Sequence, residues 1–125
     1  MNEDIRTDIS QLTYEFAVRI VKLYRYFTEE APIREFNICN QLERSATSIG
    51  ANVREAKYAQ SRPDFLTKMT IALKEANESI YWLNLLQDGE YICKEQAQSI
   101  LDEAESIKRV LTSIVKTTRE SLNKS

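Results

Sequence analysis

The residues with the clearest chemical potential lie along one flank of a predicted helix in the first half of the chain. Arg44, Ser48, Asn52 and Glu55 follow one another at steps of four, four and three residues, so their side chains share a face. A later helix adds Glu78. Carboxylates and a guanidinium between helices could bind an anion or a metal ion, or they could satisfy one another as a buried polar network. We favour the network, and expect truncation of Arg44 or Glu78 to destabilise the protein by a few kcal/mol.

The amino-acid counts exclude much conventional chemistry. The 125 residues include no His, 2 Gly and 2 Pro. Without histidine there can be no His-ligated zinc site, no imidazole-based triad and no di-metal centre built on Glu-x-x-His. Cys39 and Cys93 are isolated and are interpreted as two reduced thiols. We therefore predict no catalytic, cofactor-binding or metal-binding residues, and a protein that is not an enzyme.

Charge and hydropathy place the chain among ordinary globular proteins. Its 17 Lys+Arg and 19 Asp+Glu give a formal charge of -2, which provides no global attraction to nucleic acid or to an acidic membrane. No apolar run approaches the roughly 20 residues that span a bilayer, and the charged first residues do not form a signal peptide. The sequence thus predicts a cytoplasmic protein without a membrane partner.

Apolar side chains recur at helical spacing in four long stretches. The spacing predicts helices over about 8–28, 35–59, 63–88 and 94–122. Pro32, Pro63 and Gly89 separate them, with Gly89 expected as a left-handed C-terminal residue and Cys93 as a poor N-terminal cap. Gly50 lies inside the second helix at a cost of about 1 kcal/mol relative to alanine, which suggests that a neighbouring helix approaches closely there.

Short connections favour one compact arrangement of these helices. Antiparallel neighbours joined by short loops bury all four apolar faces at once. We predict a single all-α domain over residues 1–125, an antiparallel up-down-up-down four-helix bundle. Strand-like alternation and internal repeats do not compete with this interpretation.

Charged residues are distributed unevenly along the chain. Residues 54–74 hold five basic against two acidic residues, residues 108–125 hold five against one, and residues 88–105 hold one against six. The basic segments could contact phosphates or another subunit, or they could be solvated faces. The candidate contact residues are Arg54, Lys57, Arg62, Lys68, Lys108, Arg109, Lys116 and Arg119.

Aromatic residues exceed what the core of one small bundle can bury. On the first helix, Tyr14 and Tyr24 belong to a second apolar stripe beside the core seam, and a helix that is apolar on two faces needs two partners. Tyrosine and tryptophan are enriched in protein interfaces. We therefore expect the chain to bind further copies of itself through Tyr14, Tyr24, Tyr81 and Trp82.

Residues 41–56 resemble the second-helix signature of a family of small bacterial proteins. Their sequence, QLERSATSIGANVREA, is similar to the pattern Q-[IL]-x-R-[AS]-x-x-S-[IV]-x-[AS]-N-[IV]-x-E-[GA] of the 23S rRNA-intervening-sequence protein family. The run from Ser61 to Phe65, followed by Ala72 and Glu78, and the turn at residues 89–92 are also similar to that family. The similarity covers nearly the whole chain.

This resemblance implies a four-helix bundle that assembles into a ring, commonly a pentamer, and lacks enzymatic activity. It also implies distant kinship with the basic accessory subunit of diversity-generating retroelements, which binds reverse transcriptase and nucleic acid. The leading interpretation is therefore a non-catalytic homo-oligomeric scaffold. The alternative is an accessory protein that binds RNA or DNA, and a reverse transcriptase as its partner protein, through the basic patches of the assembled ring.

Overall fold

In the computed structural model, the backbone is described for residues 3–124 and the side chains for residues 9–124. The described elements are α1 (Glu3–Arg25), α2 (Asn37–Lys57), α3 (Arg62–Asp88) and α4 (Lys94–Asn123), with a π-helical turn at Tyr26–Glu30 that continues α1. The ends of the predicted domain at residues 1, 2 and 125 lie outside the described residues.

The helices form an antiparallel four-helix bundle, which confirms the predicted fold class. Each helix packs against the next in the chain, and α1 also contacts α4, so the four helices surround one core. The contact between α1 and α4 is much less extensive than the other three. Because the helices alternate in direction, the α2–α3 turn and the end of α4 lie at one end of the bundle. The start of α4 lies at the other end, beside the connections that follow α1 and α3.

The core consists of the apolar side chains that recur at helical spacing. Phe16, Leu83, Ile107 and Leu111 are each fully buried at 0% exposure. The set of large side chains that are almost completely buried contains Ile9, Phe16, Ile20, Leu42, Ile49, Leu83, Leu86, Ile100, Ile107, Leu111 and Ile114. Every helix therefore contributes one continuous stripe to the same hydrophobic cluster.

The boundaries of α1 and α3 have identifiable chemical causes. Pro32 restricts Ala31 to an extended conformation (ψ 144°), which ends the helical turn that follows α1. At the start of α3, the Asp64 N–H donates to Ser61 Oγ (3.1 Å). The Asp64 carboxylate in turn accepts from the Gln60 N–H (3.3 Å). Ser61 is thus the N-terminal cap of α3.

The end of α3 corrects one expectation. Gly89 has φ -79° and ψ 0°, so it continues the right-handed helix, and the left-handed residue is Glu90 with φ 67°. A Cβ on residue 89 would stand 2.9 Å from the Leu85 carbonyl oxygen. Glycine is needed at this position because of a close backbone approach, while Glu90 makes the reversal that lets the Tyr91 N–H reach the Leu86 carbonyl (2.8 Å).

Candidate interaction surfaces

The predicted polar network of α2 and α3 is not buried in the bundle. Arg44, Glu55 and Glu78 are exposed, while Ser48 and Asn52 are half-buried. Asn52 Nδ2 donates to the Ser48 carbonyl (2.8 Å), which is a contact within one helix. The expectation of a buried network is corrected, because the charged side chains of Arg44 and Glu55 on α2 and of Glu78 on α3 extend into solvent.

The buried polar contact between α2 and α3 is instead formed by two serines. Ser45 Oγ and Ser79 Oγ lie 2.8 Å apart, at 1% and 0% exposure. Ser45 Oγ also donates to the Leu42 carbonyl (3.2 Å). Ser79 follows Ala76 by three residues and precedes Leu83 by four, so the apolar spacing of α3 was the signal that places it in the core.

Because the side chains of Arg44 and Glu78 are exposed, Arg44→Ala and Glu78→Ala will each change the free energy of unfolding by less than about 0.5 kcal/mol. Urea unfolding followed by circular dichroism measures this change, with Asp102→Ala on the exposed face of α4 as the control. A loss above about 2 kcal/mol at a concentration-independent midpoint would restore the buried network and contradict the exposed placement.

Two carboxyl groups on α3 influence each other. Burial and a hydrogen bond and charge from Glu78 raise the pKa of Glu75 above its usual value, and the charge of Lys74 opposes this shift. Glu75 and Glu78 therefore form an acidic pair in which a nearby cation would favour ionisation. The residues that the structure describes contain no group of three metal-ligating side chains, so the pair is not part of a metal cluster there.

An interhelical ion pair escaped the sequence reasoning. Arg19 Nη1 of α1 lies 2.8 Å from Glu103 Oε1 of α4, and Arg19 Nη2 donates to Ser99 Oγ (2.9 Å). The acidic first half of α4 was the available signal, but nothing in the sequence pairs it with a particular arginine. The half-exposed pair joins α1 to α4, the two neighbouring helices that are in least extensive contact.

The bundle brings the two basic segments to one end. Arg54 and Lys57 close α2, Arg62 opens α3, and Lys116 and Arg119 lie in the last turns of α4. All five side chains are exposed, whereas Lys68 is half-buried. Tyr58, in the turn between α2 and α3, is 81% exposed among these cations. Lys108 and Arg109 lie nearer the middle of α4, away from this cluster.

The predicted aromatic interface residues divide into two groups. Tyr14 is 60% and Tyr81 56% exposed, while Tyr24 and Trp82 are half-buried and pack against the core. The Tyr81 and Trp82 rings meet edge to face with centroids 4.9 Å apart. On α1, Val18 and Val21 are also exposed beside Tyr14. The structure thus leaves two separate apolar surfaces, one on α1 and one on α3.

A groove of about 490 Å³ runs between α1 and α2. Its lining comprises Ser10, Tyr14, Thr47, Gly50, Ala51, Arg54 and Glu55. A Cβ on Gly50 would stand 3.5 Å from the Thr13 carbonyl oxygen, an ordinary van der Waals distance. The neighbouring helix at Gly50 is therefore α1, and an alanine would fit between the two helices.

The two cysteines will differ in reactivity. Burial, the charge of Glu35 and a hydrogen bond to it raise the pKa of Cys39 to about 12, while Cys93 is exposed. In the folded protein we expect iodoacetamide at pH 8 to modify Cys93 alone, because Cys39 stays an inaccessible thiol. Mass spectrometry should find one adduct in the native chain and two in urea. Equal labelling rates for both native thiols would contradict this.

The same pKa shift links Cys39 to stability at high pH. The neutral thiol is favoured in the folded state, so its contribution is fully present below the unfolded pKa of about 9. That contribution falls as the pH rises from about 9 through about 12, because the unfolded chain then loses a proton that the folded chain retains.

Comparison with known proteins agrees with the resemblance drawn from residues 41–56. Residues 6–113 match the family described as 23S rRNA-intervening sequence protein. A crystal structure of a protein from the S23 ribosomal protein family of Bacteroides thetaiotaomicron, described as of unknown function, is 50% identical in sequence. The alignment covers 90% of this chain and 98% of that one, with a TM-score of 0.85. No curated protein matches the chain.

The part of the chain that the structure describes has no helix with the length and apolar character of a membrane span.

Proposed function

Because the chain belongs to the 23S rRNA-intervening sequence protein family, whose fold it shares, we propose that it acts as a non-catalytic scaffold made of several identical subunits. The observation that carries this proposal is the 60% exposure of Tyr14 beside Val18 and Val21 on one helix. Water-exposed apolar surface of this kind is costly for a monomer and is typical of interfaces. The exposed positions of α4 are polar, so the two apolar surfaces lie away from it.

Sedimentation velocity and light scattering on the purified chain test this function. We expect a mass that is a multiple of the single-chain mass, and a closed ring of five in keeping with the resemblance. A concentration-independent monomer would overturn the scaffold.

A second candidate function rests on the charged end of the bundle. Both basic segments reach the same end, where Tyr58 is 81% exposed between Lys57 and Arg62. An exposed aromatic ring among cations suits single-stranded nucleic acid, because bases stack on the ring while the cations contact phosphates. In a ring of parallel subunits this end would repeat on one rim. The scaffold would then present RNA or DNA, or a protein that handles them such as a reverse transcriptase, in the cytoplasm.

A titration with a fluorescent single-stranded RNA at two salt concentrations tests the second function. We expect affinity to fall steeply with salt and to be lost in Tyr58→Ala and Arg62→Ala, while the matched Arg109→Ala on the middle of α4 binds as the wild type. The absence of binding at low salt would exclude this function and leave the scaffold untouched.

A further inference from the structure

The groove between α1 and α2 resembles one side of a subunit interface that no other chain covers. Its α1 side presents Tyr14, and its α2 side is lined by small residues around Gly50. Ser10 Oγ lines the groove and is buried without a hydrogen-bond partner among the described residues. Arg54 lines it as well and makes no ion pair with the described side chains. The groove thus combines the ring of Tyr14 and small side chains with two charged residues, Arg54 and Glu55.

A ridge on α3 is complementary to this groove. Ile71, Glu75, Glu78 and Trp82 follow at steps of four, three and four, on the side of α3 where Ser79 faces α2. Ile71 is 36% exposed, and Trp82 Nε1 lacks a hydrogen-bond partner among the described residues. Tyr81 adds an exposed ring next to the ridge. The ridge is apolar at both ends with an acidic pair at its centre.

A cation from the groove would neutralise the acidic pair of the ridge. Glu78 is exposed, and neither carboxyl of the pair is joined to a cation within 4.0 Å in the described part of the chain. An arginine placed beside them would relieve the repulsion that Glu75 and Glu78 impose on each other. Arg54 in the groove is such an arginine, and Glu55, which lines the groove as well, must then lie away from the acidic pair.

The placement of the two surfaces determines what they can build. The groove opens on the α1–α2 side of the bundle and the ridge lies on the adjacent α2–α3 side, so one copy can use both surfaces at once. Different surfaces that meet head to tail give a ring when the rotation from one copy to the next closes. In such a ring α2 faces the centre and the polar face of α4 faces outward.

We propose that the α1–α2 groove of one copy receives the α3 ridge of the next copy, with Arg54 beside Glu75 and Glu78. This contact rests on the proposed self-association, and it specifies the two surfaces that meet. It is heterologous, so one chain uses its groove and its ridge on different neighbours.

Two blocked variants and their mixture test the contact. Tyr14→Glu blocks the groove and Ile71→Glu blocks the ridge, while Ser113→Glu adds the same charge on the outer face of α4 as a control. We expect each blocked variant to be a monomer in sedimentation velocity, and the control to keep the wild-type mass. An equimolar mixture of the two blocked variants should give a species of twice the single-chain mass, because one intact groove and one intact ridge remain.

Other outcomes separate the contact from the scaffold. If both blocked variants keep the wild-type mass, self-association stands and the groove–ridge contact is wrong. If both are monomers but the mixture stays monomeric, the contact is not heterologous and the proposal is overturned. A monomeric wild type overturns the scaffold as well. Val18→Glu and Tyr81→Glu provide a second pair if either first variant loses its helical circular dichroism.

Discussion

Replacing Phe16 with alanine will lower the free energy of unfolding by about 3–5 kcal/mol. Phe16 is 0% exposed and lies in the middle of the α1 stripe that faces the other helices. Removing its ring takes away apolar contacts and leaves a cavity that rigid neighbouring helices fill only partly. The loss is a large fraction of the stability of a domain of this size.

Urea unfolding followed by circular dichroism measures the effect, with Phe36→Ala as the matched control. Phe36 is 52% exposed before α2, so the same atoms are removed from a site that is already half in water. We expect the control to lose less than about 1 kcal/mol. Similar losses at the two positions would show that the apolar spacing of α1 does not identify its core.

Helical spacing sufficed for the fold because it reports which face of each helix is apolar. The steps of three and four that include Phe16, Ile49, Leu83 and Ile107 leave one stripe on each helix, and short connections leave one simple way to join the stripes. The observed helix bounds differ from the predicted ones by a few residues, most at α1, which begins at Glu3.

Helical spacing did not predict which polar side chains are buried. It gives the face of the helix on which a side chain lies, but not whether the neighbouring helix covers that side chain. Arg44 and Glu55 share a flank with Ser48 and Asn52, yet their long side chains leave the helix interface for solvent. Ser45 lies three residues after Leu42 and four before Ile49, on the core side of α2, and its hydroxyl contacts Ser79 of α3. The buried polar contact therefore lies within the apolar seam and not on the polar flank beside it.

The order and direction of the helices determine which charged segments lie close together in the fold. The basic segments at residues 54–74 and 108–125 are far apart in sequence, but alternating helix directions bring their ends together near the α2–α3 turn. The acidic segment at residues 88–105 begins at the opposite end. The difference in charge between the two ends of the bundle therefore follows from the antiparallel fold. The second candidate function is proposed for the basic end.

The buried serine pair gives the last prediction, in which two similar substitutions have unequal effects. Ser45 Oγ has one hydrogen. When that hydrogen is donated to the Leu42 carbonyl at 3.2 Å, Ser79 is the donor in the 2.8 Å contact between the two serines. Ser45→Ala leaves the buried Ser79 hydroxyl without its acceptor and should cost about 1–3 kcal/mol. Ser79→Ala leaves Ser45 bonded to Leu42 and should cost about 0.5–1.5 kcal/mol.

A double-mutant cycle measures the difference. With both serines replaced by alanine no donor is orphaned, so the double variant should be more stable than the sum of the single losses predicts. Ser113→Ala at an exposed position of α4 reports the helix propensity gained by each serine-to-alanine change, and this gain is subtracted. Strictly additive losses would mean that the two hydroxyls do not interact in solution, and the polar contact between α2 and α3 would then not help to set the register of the bundle.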